Sequence, residues 1–87
     1  MPYIKQEMRP ELDAALSHFP QLDEPELDYV ITKLCLRFIK DRERRFVTMN
    51  KVMGILSCAA FELYRRVIGP YEDEKVRDNG DVEDFSI

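Results

Sequence analysis

DEPELDYVITKLCLRFIKDR, residues 23–42, is the stretch whose reading decides the fold. Asp23 and Glu26 stand at the spacing of a capping box, with Asp23 as N-cap and Glu26 at the third helical position. Pro25 falls in the first turn, where its missing N–H removes no helical bond. The spacing predicts a helix over 23–42. At 100° per residue, Leu27, Val30, Ile31, Leu34 and Phe38 form one apolar stripe, and Tyr29, Leu36 and Ile39 form a second on the far side. Glu26, Lys33, Arg37 and Lys40 make the polar strip between them. A helix apolar on two sides must be covered on two sides.

The flanking segments complete an all-α plan. Residues 1–8 read as an extended arm. Leu12, Ala15, Leu16 and Phe19 repeat at helical spacing, so a short helix over 9–19 is expected, opened by Pro10 and stopped by Pro20. A third helix is expected over 48–68, capped by Thr48 or Asn50. Val52, Leu56, Leu63 and Val67 form its inner face, and Met53, Ile55, Ala60, Phe61, Tyr64 and Ile68 widen the apolar arc. Gly69-Pro70 reads as a helix stop, because Gly accepts a left-handed cap and Pro cannot continue the ladder. Residues 70–87 then read as an acidic tail. The connection 41–47 is short, so the two long helices are expected to be antiparallel neighbours. Two long helices and one short one cannot cover this much apolar surface. The expectation is a homo-oligomer, a second copy covering the exposed stripes.

Composition narrows the class. Eighty-seven residues make one domain, of a size that is often marginal alone. Two cysteines, Cys35 and Cys58, are too few for a disulfide scaffold and read as free thiols in a reducing cytoplasm. Lys5, Glu7 and Arg9 interrupt any signal peptide, and no uncharged apolar run approaches a membrane span, so no membrane is expected. The net charge is −4. Residues 70–87 carry seven acids against Lys75 and Arg77, a balance of −5, which leaves the first 69 residues at +1. Sequence-specific nucleic-acid binding is therefore not expected, since such domains are broadly basic.

Few groups suggest chemistry. Three scattered glycines form no phosphate loop, and one histidine, His18, with two distant cysteines makes no zinc set. Asp78-Asn79-Gly80-Asp81 fails as a calcium loop, because Lys75 and Arg77 fall where oxygen ligands belong, and reads as a turn. No catalytic residue, metal or cofactor is assigned, and the chain is not read as an enzyme. Arg42, Arg44 and Arg45 read as a solvated turn. Lys33, Arg37 and Lys40 read as a solvent face, with docking of the acidic tail or of a phosphate as the functional alternative.

Tyr64-Arg65-Arg66 and Tyr71 are the more specific feature. Arg65 falls on a polar strip beside Glu62. Arg66 emerges on an apolar edge beside Ile55 and Ala59, where it must pair, stack or snorkel. Guanidinium groups next to aromatic rings suit a phosphate-bearing ligand such as a nucleotide. The alternative is an ion pair with Glu62, Glu72, Asp73 or another subunit. Tyr3 and Lys5 of the arm complete the candidate ligand-binding set of Arg65, Arg66, Tyr71, Tyr64, Tyr3 and Lys5.

MPYIKQE at the start, RPELD at 9–13, LDYVITKL at 27–34 and YRRVIGPYEDEKVRDNGDV at 64–82 together resemble a family of small uncharacterised proteins, a domain of unknown function, from bacteria and bacterial viruses. The resemblance implies no catalytic residue. It implies that both ends of the chain belong to the functional unit. Two functions are expected from these readings. One is a non-enzymatic helical oligomer that binds a small anionic, phosphate-bearing ligand, as a phage-type sequestering protein would. The other is a protein-interaction or inhibitor module that acts on a host protein through its apolar helix faces or its acidic tail.

Overall fold

The structure, a computed structural model, describes residues 2–86. It is 73% helix, and no strand occurs among the described residues. A 3₁₀ turn, Gln6–Met8, leads into α1, Arg9–Leu16. The second helix, α2, is Glu24–Lys40. The third, α3, runs without interruption over 34 residues, Phe46–Asn79. By contact density the chain divides into two compact units, one up to Val52 and one from Met53 on.

In the first unit, the expected arm is tied down by a contact that sequence spacing did not reveal. The Arg9 guanidinium donates twice to the Ile4 carbonyl, from Nε at 3.2 Å and Nη2 at 3.0 Å. The capping box of α2 forms as expected: Glu26 N–H donates to Asp23 Oδ1 at 2.9 Å and Asp23 N–H donates to Glu26 Oε1 at 3.0 Å. No side chain of α2 is fully buried. Leu27, Ile31 and Leu34 on one stripe, and Tyr29 and Leu36 on the other, are exposed, while Val30, Cys35, Phe38 and Ile39 are half-buried. After α2, Arg42 lies 3.6 Å over the Phe38 ring and donates to the Phe38 carbonyl at 3.1 Å. The Arg45 carbonyl accepts from the N–H groups of Thr48 and Met49, so α3 opens at Phe46, and neither Thr48 nor Asn50 caps it. Thr48 and Val52 are the two buried residues among those described, each still 7% exposed.

In the second unit, the expected stop at Gly69-Pro70 does not occur. The chain winds through it by a π turn, Tyr64–Ile68, and continues as regular α-helix over Gly69–Asn79. Proline within an α-helix lacks the N–H for the residue four back, and its ring collides with that carbonyl, here the one of Arg66. The chain takes a wider turn just before the proline: Gly69 N–H bonds back five residues to the Tyr64 carbonyl. A Cβ on Gly69 would lie 3.1 Å from that same oxygen, so glycine fits this close approach. The helix ends instead at Gly80, whose φ of 80° suits glycine alone, with its N–H on the Val76 carbonyl at 2.8 Å. Residues 70–79 are therefore helical, and only residues 80–86 form an irregular acidic end.

The inner face expected of the third helix is covered only in part. Val52 is buried and Leu56 and Ala59 are half-buried, but Leu63 and Val67 are exposed. By length and composition alone, α3 contains a window apolar enough to cross a membrane, with mean hydropathy 1.3. Lys51 and Glu62 bound its uncharged core of Val52–Phe61. Ten residues of helix span about 15 Å at 1.5 Å per residue, half of a hydrocarbon layer of roughly 30 Å.

Candidate functional site

The π turn places the arginine–tyrosine cluster. Arg65 and Arg66 do not divide their work as expected. Both grip Glu62: Arg65 Nη2 donates to Oε2 at 2.9 Å, and Arg66 Nη1 donates to Oε1 at 3.1 Å. The arginine side chains remain largely exposed, whereas the Glu62 side chain is only 19% exposed beneath them. Arg65, then Arg66, hold the Glu62 carboxyl below the ordinary glutamate range. Of the ion-pair partners open to Arg66, Glu62 is the one it takes, and no turn forms at Gly69-Pro70 to fold Glu72 or Asp73 back beside it.

Glu72 instead receives a hydrogen bond from Tyr64, whose hydroxyl donates to Oε2 at 2.9 Å. Regular α winding sets residues eight apart about 80° from each other, while one residue taken up by the π turn brings them within about 20°. The wide turn therefore puts Glu72 on the face of Tyr64. The bond to Glu72 pushes the Tyr64 phenol above the ordinary tyrosine range. Because that folded value is raised, its stabilisation is present below the ordinary range and is lost as pH rises through the folded value. In an absorbance titration of phenolate, one of the four tyrosines should ionise last, and Tyr64→Phe should remove that component. Simultaneous ionisation of all four would rule out the bond in solution.

The remaining candidates have surroundings of their own. Tyr71 carries the Lys75 ammonium 5.4 Å from its ring centroid. Tyr3 is almost fully exposed and Lys5 precedes the 3₁₀ turn; both belong to the first unit. Cys35 and Cys58 are free, Cys35 half-buried and Cys58 exposed. Among the described residues no three His, Cys, Asp or Glu side chains are grouped to hold a metal ion.

The first unit holds a concavity that the sequence reading did not assemble. Phe19, Tyr29, Val30, Leu34 and Leu36 line an apolar groove of about 510 Å³, bordered by Lys33, Arg37, Lys40 and Asp41. Its signal in the sequence was the strip of Lys33, Arg37 and Lys40. What periodicity could not supply was Phe19, which enters from the segment after α1. Arg37 Nε stands 3.8 Å from Asp41 Oδ2, a surface pair, and Lys33 sits 5.7 Å from the Tyr29 ring centroid. A second concavity of about 370 Å³ adjoins it across Leu36 and Lys40, lined also by Ile39, Arg42, Arg44 and Met49.

These observations define an all-helical protein that displays apolar helix faces and a basic-rimmed groove. The chain belongs to the family described as Domain of unknown function (DUF6899), whose model matches residues 1–82. No curated protein matches it. No solved structure matches it either.

Proposed function

We propose that this chain is a non-enzymatic, self-associating helical interaction module whose long helices pair antiparallel and whose apolar faces are covered by further copies. The observation that carries this reading is the uncovered surface. The chain exposes 8368 Å². A folded monomeric chain of 10.3 kDa exposes about 5,400 Å², so the excess is about 3,000 Å². Counted over two copies the excess is about 6,000 Å², at or above the roughly 2,000–5,000 Å² and more that obligate interfaces bury over both partners, so it calls for a large interface or for more than one. Light scattering at micromolar concentration should give at least twice the chain mass of 10.3 kDa. A clean monomer would refute the proposal.

One observation favours a second reading, in which the assembly binds a phosphate-bearing ligand such as a nucleotide. Arg65 and Arg66 already hold one anionic group between them. A phosphate would have to displace Glu62, so Glu62→Gln should strengthen nucleotide binding in calorimetry. Equal silence of wild type and variant across a nucleotide panel removes this reading.

A further inference from the structure

We infer that the groove between the end of α1 and α2 is the docking site for the acidic C-terminal segment of a second copy of this chain. The inference rests on the self-association proposed above and names one of its contacts. The two surfaces are complementary in two respects. The groove has an apolar floor of Phe19, Val30, Leu34 and Leu36 under a rim of Lys33, Arg37 and Lys40. The segment after Gly80 reads Asp81-Val82-Glu83-Asp84-Phe85, with acids on either side of two apolar side chains. Val82 is 86% exposed and Phe85 62% exposed.

A merely solvated acidic arm gains nothing from a phenylalanine. A docking segment does, because one aromatic ring buries about 150–250 Å² and anchors a contact. The groove volume falls within the roughly 300–1,000 Å³ of clefts that accept such groups. The charge pattern adds register. Asp81, Glu83 and Asp84 meet Lys33 and Lys40, while Arg37 is already partly occupied by Asp41. Local bonds hold the segment in short turns: Val82 N–H donates to Asp81 Oδ1, and Ser86 N–H donates to Asp84 Oδ1. Opposed charges at the edge of an apolar contact select partner and orientation more than they add affinity.

A charge-exchange experiment on the full chain tests this. One variant carries Lys33→Glu and Lys40→Glu; the other carries Asp81→Lys and Glu83→Lys. All four positions are exposed. Each variant alone opposes like charges across the contact, and sedimentation should show self-association weakened by at least about tenfold. Mixed in equal amounts, each variant's segment meets a groove of opposite sign, and assembly should recover. Raising the salt should weaken the wild-type assembly in the same assay. If both variants assemble as wild type does, this docking site is refuted and self-association survives. Failure of the mixture to recover places the contact within one chain or elsewhere, and overturns the inference. A wild type that is itself monomeric removes the underlying proposal as well.

Discussion

Phe61→Glu is expected to dissolve the assembly. Phe61 is 72% exposed on α3, with Met53 and Ile55 also open on that helix. A ring of this size, buried between copies, has the character of a binding hot spot. Truncating such a residue costs about 2–4 kcal/mol, or roughly 30- to 1,000-fold in the dissociation constant. A carboxylate in its place adds the desolvation of an unpaired charge. Light scattering on Phe61→Glu should fall toward the mass of one chain. Leu36→Glu, on the far stripe of α2, should act in the same direction. If both variants keep the wild-type mass, these faces are not the ones that copies cover.

The second large effect is expected at Pro70. Pro70→Ala restores an N–H that can pair with the Arg66 carbonyl, and it removes the ring that forces the wide turn. Alanine in a helix interior is more favourable than proline by about 3 kcal/mol. The π turn already relieves part of that conflict, so a gain of about 1–3 kcal/mol in chemical denaturation is expected. The gain should come with a loss: Glu72 moves off the face of Tyr64, and the late-ionising tyrosine disappears from the titration. A Pro70→Ala chain with wild-type stability and a wild-type Tyr64 would mean that the proline does not cause the π turn.

How far the sequence could be read depended on the range of the interactions involved. The α2 capping box was legible because Asp23 and Glu26 act three residues apart, and local chemistry alone fixes that contact. The two apolar stripes of α2 were legible for the same reason, since helical period sets them whatever surrounds the helix. Gly69-Pro70 misled because both residues usually end helices. The outcome turned on whether flanking turns could widen, and Tyr64 and Gly69 together decide that. For Arg66 the sequence left the partner open. A wheel drawn at uniform period put it on an apolar edge, with Glu62, Glu72, Asp73 or another subunit as the ion-pair choices. Glu62, one turn back, satisfied it together with Arg65. The groove was half legible: its basic rim lies on one helix, but Phe19 reaches it only through the folding of the segment after α1.

The π turn also changes what length means in this helix. A five-residue turn is a regular helix that has taken in one additional residue without shifting the register of what lies beyond. Deletion and substitution at the same site should then have opposite consequences. Removing Pro70 outright takes out the additional residue and returns the turn to ordinary winding. Tyr71, Glu72 and Val76 keep their alignment with the residues upstream of Tyr64. Replacing Pro70 by alanine keeps the residue count, and every side chain from Tyr71 to Asn79 swings by about 100°. In most helices a one-residue deletion is the more disruptive lesion. Here the shorter chain should preserve the surface that the full-length Pro70→Ala chain rearranges.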